Sequence, residues 1–277
     1  MKFQIPEAFK SEILAKHKNT EVFPATSLIS QFVTGLILTL FPQQSRSRIE
    51  NTEQLDARLE KHFSSLVYLL NYLETQLNQP VDEIAVRFME KIPDIYASLT
   101  QDVEIILKGD PAAKSEFEVV RTYPGFYAIA FYRVAHELHV LDIPLIPRII
   151  TEYAHSKTGI DIHPGATIAP SFFIDHGTGI TIGETAILGE NVKLYQGVTL
   201  GALSVAKELA NQKRHPTIEN NVVIYSGATI LGGNTVVGHH SIIGGNVWLT
   251  KSVPPHSKVY HKEQTEFKTK DSSLVSE

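Results

Sequence analysis

From about residue 160 onward, apolar residues recur every six positions. One frame runs Ile162, Ile168, Ile174, Ile180, and a second runs Ile182, Leu188, Leu194, Leu200. A third holds Ile218, Ile224 and Ile230, and a fourth holds Val237, Ile243 and Leu249. The phase slips by two at "ITIG" and by one near "LGGNT". An α-helix repeats near 3.6 and a half-buried strand at 2, so neither explains the pattern. A β-helix of hexapeptide repeats does, because each hexapeptide supplies one short strand and one corner, and three make a coil of roughly 18 residues. Small residues in "HPGAT", "YSGAT" and "LGGNT" suit such corners. An ordinary sandwich has no reason to keep a sixfold register over nearly ninety residues.

The polar segment 201–218 interrupts the repeat. Insertions in solenoids emerge as loops, often on the binding face. This one is expected to be partly helical and has Lys213, Arg214 and His215 at its base.

The first half follows a different rule. Leu55, Leu59, Phe63, Leu66, Leu70 and Leu73 lie three and four apart, one apolar stripe on a helix over 53–77. Residues 82–113 predict a pair of helices broken near Pro93, and "GDP" at 109–111 predicts a turn. A further helix is expected over 125–141, after which Pro144 and Pro147 restart the chain. The apolar run 32–42 is too short to span a bilayer and reads as a buried helix. The pattern defines an α+β fold. A helical domain over 1–155 precedes a left-handed parallel β-helix over 156–255 with a loop at 201–217, and a tail occupies 256–277.

Composition narrows the function. The net charge of −5, without an arginine–lysine cluster, argues against nucleic acid as the main partner. The absence of cysteine excludes a disulfide scaffold and a thiolate-bound metal. The N-terminus lacks the apolar core of a signal peptide, which with the short apolar run predicts a cytoplasmic protein without membrane attachment. No HExxH-like spacing occurs among the 12 histidines, so no metal is expected. No Gly-x-Ser-x-Gly or P-loop pattern points to a serine hydrolase or an NTPase.

Four polar clusters break the apolar rule: Asp161 with His163, Asp175 with His176, Arg214 with His215, and Asp110 in "GDP". Asp161 and His176 are fifteen residues apart, close enough to one coil to suggest neighbouring corners. A carboxylate beside an imidazole fixes its tautomer and strengthens it as a base for a hydroxyl or amine nucleophile. Plainer readings stand beside this one. Asp161 would cap the first coil, His163 would fill a corner, and His239 and His240 in "VGHHS" would form an exposed corner.

The motifs "DIHPGATI", "IDHGTGITIGETAILGENVKLYQGVTLG" and "KRHPTIENNVVIYSGATILG" resemble the serine O-acetyltransferases, hexapeptide-repeat enzymes of cysteine biosynthesis. The resemblance covers about 110–255 and is strongest over 161–232. It implies acetyl-CoA-dependent O-acetylation of L-serine by direct transfer, with His176 as general base and Asp161 paired with it. It further implies a serine pocket of Asp110, Pro111, Asp175, Arg214 and His215, with Gly201, Ser226 and Gly245 along the pantetheine arm of the coenzyme. The family's trimers, commonly paired into hexamers, are the implied assembly. The chain departs from the family pattern in its insertion after "TLG", in "SKVYHKEQTEF" after "VPPH", and in a tail without the final isoleucine that engages cysteine synthase. A tight complex with cysteine synthase is therefore not expected. Two rivals remain open: an acyltransferase for another hydroxyl or amino acceptor, and a non-catalytic β-helical scaffold.

Overall fold

The computed structural model describes residues 3–45, 48–203 and 212–261. The proposed helical turn within 204–211 and the tail from 262 onward lie outside the described residues.

The helical region comprises α1 (Glu7–Asn19), α2 (Thr26–Leu40), α3 (Thr52–Asn71), α4 (Val81–Glu90), α5 (Ile92–Gly109), α6 (Glu116–Thr122), α7 (Pro124–Val140) and α8 (Ile146–Thr158). The apolar run at 32–42 falls mostly in α2, whose Ile29, Phe32, Val33 and Leu36 are buried. The stripe beginning at Leu55 forms α3, shorter than expected because the chain tightens into a 3-10 turn at Glu74–Gln76. Asn51 caps α3 by accepting the Gln54 N–H at 2.9 Å. The break near Pro93 separates α4 from α5, with Pro93 tolerated in the first turn of α5.

Helix α8 runs to Thr158, three residues past the expected boundary. Gly159 ends it in the left-handed conformation (φ 70°), and the first strand starts two residues later. The β-helix has three parallel sheets. Sheet A contains β1 (Asp161–Ile162), β4 (Thr181–Ile182), β7 (Thr199–Gly201), β10 (Thr229–Leu231) and β13 (Trp248–Leu249). Sheet B contains β2 (Thr167–Ile168), β5 (Ile187–Leu188), β8 (Thr217–Ile218) and β11 (Val236–Val237). Sheet C contains β3 (Phe173–Asp175), β6 (Lys193–Tyr195), β9 (Val223–Ile224), β12 (Ile242–Ile243) and β14 (Lys258–Val259). The last pairing, Ile242 with Lys258, carries the β-helix past the expected limit of 255.

The period-six residues point inward and stack coil on coil. Ile162, Ile182, Leu200 and Ile230 form one buried column, Ile168, Leu188, Ile218 and Val237 a second, and Ile174, Leu194, Ile224 and Ile243 the third. The phase slip at "ITIG" has a simple origin. Asp175 pairs with Tyr195, yet Thr181 pairs with Thr199, so the first turn from sheet C to sheet A holds two extra residues. Ile182, rather than Ile180, therefore stands beside Ile162.

Helix α7 closes the open end of the coil. In β2, Thr167 and Ala169 donate to Ala186 and Leu188 of the next coil, so the intervening carbonyls face away from the sheet. Tyr132 Oη donates to Ala166 O at 2.6 Å, and Arg133 donates to Ile168 O at 3.2 Å and to Ala169 O at 3.1 Å. The same guanidinium forks onto buried Asp102 of α5 at 2.5 and 2.8 Å, and Asp102 also accepts the Phe172 N–H at 2.8 Å. Burial pushes the Asp102 carboxyl upward, while the guanidinium and this N–H favour its charged form. The bidentate geometry is that of a carboxylate–guanidinium pair.

This pair yields a stability prediction. Arg133→Met leaves a buried carboxylate without its partner and should cost about 3–5 kcal/mol in urea unfolding. The double variant Arg133→Met/Asp102→Leu should recover much of that loss. Equal destabilisation by single and double variants would show that the pair does not hold the coil end.

Candidate active site

The polar residues singled out in the sequence gather at two edges of the prism, one on either side of sheet A. Along the edge from sheet C to sheet A, Gly179, Gly197, Gly227 and Asn246 all have φ between 57° and 81°. His176 and Gly177 belong to the longer first turn, and His176 itself is left-handed (φ 57°). A non-glycine residue there is uncommon, and the backbone turns the imidazole outward, with 77% of the side chain exposed. Its Nε2 is 3.9 Å from Asp175 Oδ1. Lys193, beside Phe173 in the next coil, brings Nζ to 3.4 Å from Asp175 Oδ2 and donates to Gly109 O at 3.1 Å.

The helical region completes this cluster. A Cβ on Gly125 would lie 2.4 Å from Ile174 O, so only glycine lets the start of α7 rest on β3. The turn after α5 then carries Asp110, which accepts the Tyr123 hydroxyl at 2.7 Å and the Ala112 N–H at 2.8 Å. The Tyr123 bond first, then the Ala112 N–H and the nearby charges of Lys193 and His176, hold the Asp110 carboxyl below its usual range. Burial first and Asp110 second push the Tyr123 hydroxyl upward, so the phenol stays a donor. Pro111 is exposed in the same turn.

The second cluster lies where sheet A turns into sheet B. His215 is buried, and a Cβ on Gly183 would sit 2.0 Å from its ring. His215 Nδ1 accepts the Thr185 N–H at 3.0 Å, which leaves the ring proton on Nε2. Thr185 Oγ1 accepts the backbone N–H groups of Arg214 at 2.9 Å and His215 at 3.0 Å. The Arg214 guanidinium bonds Glu184. His163 lies near Glu184, and its Nδ1 accepts the Gly165 N–H at 3.0 Å. Burial, followed by Arg214, lowers His215 to about 4. Glu184 is partly buried, which favours its neutral form, but the Arg214 bond and His163 hold its carboxyl below the ordinary value.

Within one chain Asp161 falls with this second group and not beside His176. Its carboxylate accepts from Arg148 Nη1 at 3.0 Å, and its charge acts on His163. The reason is the coil length: Asp161 registers beside Thr181, five residues beyond His176. Within the chain, the carboxylate next to His176 is Asp175. Gly201 ends β7 on the side of the second cluster, whereas Ser226 and Gly245 adjoin each other on the first edge. Sequence reasoning missed Lys193, Tyr123, Glu184, Thr185 and Arg148. Counting coils from Phe173 would have flagged Lys193, but no linear signal links Tyr123 to Asp110. Gln196 follows Tyr195 as His176 follows Asp175, and its Oε1 is buried without a hydrogen-bond partner. A depression of about 450 Å³ lined by Arg58, Lys61, His62 and Tyr68 belongs to the helical region and includes neither His176 nor His215.

The triangular coil with polar edges is a protein of the hexapeptide-repeat β-helix class. No family model matches the chain. A plasmid-encoded serine acetyltransferase of Synechococcus elongatus is 53% identical over 186 residues, which are 65% of this chain and 58% of that protein. The chain thus spans a little over half the length of that relative. The serine acetyltransferase of Bacillus pumilus is 44% identical over 164 residues, 59% of this chain and 73% of its own length. The crystal structure of Entamoeba histolytica serine acetyltransferase 1 in complex with L-cysteine superposes with a TM-score of 0.74 at 33% identity, covering 92% of this chain and 97% of that one. The Neisseria gonorrhoeae enzyme in complex with serine gives a TM-score of 0.61 at 28% identity, over 89% and 98% of the two chains. The chain belongs to the serine acetyltransferase family. The expected left-handed winding is that of the family.

The buried histidines set a pH dependence. His215 and His62 both titrate at about 4 in the folded chain, against 6.5 when free. The unfolded chain therefore takes up protons first as pH falls. The histidine contribution to stability should decline from about pH 6.5 to about pH 4, by about 1–3 kcal/mol per histidine, and level off below, where loss of the depressed carboxylates Asp110 and Glu184 takes over. Urea unfolding across this range checks it, and His215→Gln should flatten the slope. A flat profile in the parent chain would contradict the buried neutral imidazoles.

Proposed function

We propose that this chain transfers the acetyl group of acetyl-CoA to the hydroxyl of L-serine, giving O-acetyl-L-serine for cysteine synthesis, without a protein acyl intermediate. The observation that carries the reading is His176, turned outward on a two-residue extension of the coil beside Asp175, with its charge acting on Asp110. Its imidazole takes the serine hydroxyl proton as the oxygen attacks the thioester carbonyl. Collapse of the tetrahedral intermediate expels the coenzyme thiolate, which takes the proton back from the imidazolium. The serine complex of the Neisseria enzyme and the cysteine complex of the Entamoeba enzyme support an amino-acid acceptor. Asp110, Asp175 and the unpaired Gln196 oxygen suit an ammonium group, and Arg214 and the His215 Nε2–H suit a carboxylate. Pro111 shapes the turn around Asp110. The glycine-rich edge leading from His176 past Ser226 and Gly245 leaves a strip with little side-chain bulk, suited to the extended arm of the coenzyme, and Gly201 would meet that arm from the far side of sheet A.

The ammonium-binding and carboxylate-binding groups sit on opposite edges of one chain. The reading therefore requires a homotrimer in which the Asp161, Arg214 and His215 edge of one protomer meets the His176 edge of the next. Pairing of two trimers through the helical region is part of the same reading. Helix α1 buries none of its residues in the chain and exposes Phe9 and Leu14. Cytoplasmic residence is part of the same reading. Among the described residues no helix is long and apolar enough to cross a membrane.

Thiol release from acetyl-CoA, followed with a panel of amino acids and sugars, tests the activity. Serine should drive release, and His176→Ala should lower kcat about 10²–10⁴-fold. Release with a sugar alone would point to another acyltransferase, and none with any acceptor to a scaffold. Co-assembly tests the shared site. Equal amounts of inactive His176→Ala and Asp161→Ala chains, refolded together, should regain about a quarter of parental activity. Failure of mixed assemblies to exceed either parent would place the site within one protomer.

A further inference from the structure

The third edge, where sheet B turns into sheet C, carries neither half of the proposed active site. Its corners adopt the left-handed conformation coil after coil, at Ser171 (φ 62°), Asn191 (56°), Asn221 (61°), His240 (58°) and His256 (59°). Small polar residues fill the lower corners, and asparagine tolerates this conformation well. Histidine replaces them in the last two coils. Coil-to-coil bonds fix the stacking: His240 N donates to Asn220 O at 3.0 Å, and His256 N to His239 O at 2.9 Å. His239 and His240 bring their Nδ1 atoms to 3.0 Å, and the rings of His240 and His256 stack at 5.0 Å with 17° between planes. His239 lies edge-on to both. One ring nitrogen from each residue lies within 4.8 Å of the other two. The Glu219 carboxylate, accepting the His239 N–H at 2.8 Å, adds a negative charge on the same edge.

When neutral, one of His239 and His240 donates its Nδ1–H to the other's Nδ1 lone pair, and the imidazoles repel when charged. A cation accepting one lone pair from each ring would replace that bond and join all three residues. Zinc bonds imidazole nitrogen at about 2.0–2.1 Å and takes ligands about 3.3 Å apart in a tetrahedron, so the three rings, with nitrogens within 4.8 Å of one another, draw together and turn their lone pairs inward on binding. Three nitrogen ligands without thiolate suit zinc or a neighbouring borderline metal, and a fourth position stays open to water. Linear spacing concealed the group, because His256 joins the adjacent pair His239 and His240 only from the next coil.

We propose that His239, His240 and His256 form a binding site for one zinc-type divalent ion that ties the last two coils of the β-helix together. Such a tie adds to what holds the last coil, where among the described residues β14 pairs with β12 alone, the bridge of Val237 with Val253 joins sheet B to it, and Ser241 bonds Pro254 and Ser257. The ion stands apart from the proposed chemistry and acts on the stability of the coil end.

The test uses the full-length chain without an affinity tag, stripped with a chelator and titrated with zinc chloride in a calorimeter. One equivalent per chain should bind with Kd of about 10 µM or tighter, and the thermal midpoint should rise by about 3–6 °C at a hundredfold excess over Kd. His240→Ala and His256→Gln should each weaken binding more than about 30-fold and abolish the thermal shift, while His17→Ala on helix α1 changes neither. All these substitutions are at exposed positions, and circular dichroism verifies that the chains are folded. Binding weaker than about 100 µM, or unaltered by either edge substitution, would overturn the proposal.

Discussion

A parallel β-helix has an open end, and the outward carbonyls of its first coil find no donor there unless another element provides one. Here that element is α7, whose Tyr132 and Arg133 reach Ala166, Ile168 and Ala169 in one sweep. Because Arg133 also binds Asp102, the same contact fixes α5 against the coil. The position of α5 decides where Asp110 falls, and the start of α7 decides where Tyr123 falls. The helical half is thus part of the chemistry-bearing surface, which would be incomplete on an isolated coil.

The β-helix was legible because its core follows one arithmetic rule. Every residue named in the period-six frames is buried or nearly so, and the slip at "ITIG" marks the extension that carries His176. The helices were legible from Leu55 and its stripe and from the position of Pro93. Side-chain pairing was less legible. Fifteen residues looked like one coil, but the first coil advances from Asp161 to Thr181, so the aspartate and His176 face different edges. Corner length is set by backbone geometry at the turns, which the apolar period does not record. Tyr123 and Lys193 escaped notice for a related reason: their roles depend on how a helix docks on a sheet, a long-range fact without local pattern.

The three edges have separate characters that follow from their backbones. The edge from C to A is rich in glycine and bare, which suits an extended ligand. The edge from A to B gathers imidazoles, guanidinium and the carboxylates of Glu184 and Asp161, and burial keeps His215 neutral. The edge from B to C holds residues that tolerate the left-handed conformation. One repeating core supports three surfaces of different chemistry, since the interior takes only two side chains in six, such as Val192 with Leu194 and Ala228 with Ile230.

The two-residue extension before Thr181 has a wider consequence. After it, Thr181 pairs with Thr199 and Ile182 with Leu200 as though nothing had been added. A corner can therefore lengthen or shorten without shifting the columns beneath it. In such an architecture the reactive surface and the load-bearing interior are free to vary independently, and new chemistry can arise at a vertex while the pillar behind it stays unchanged.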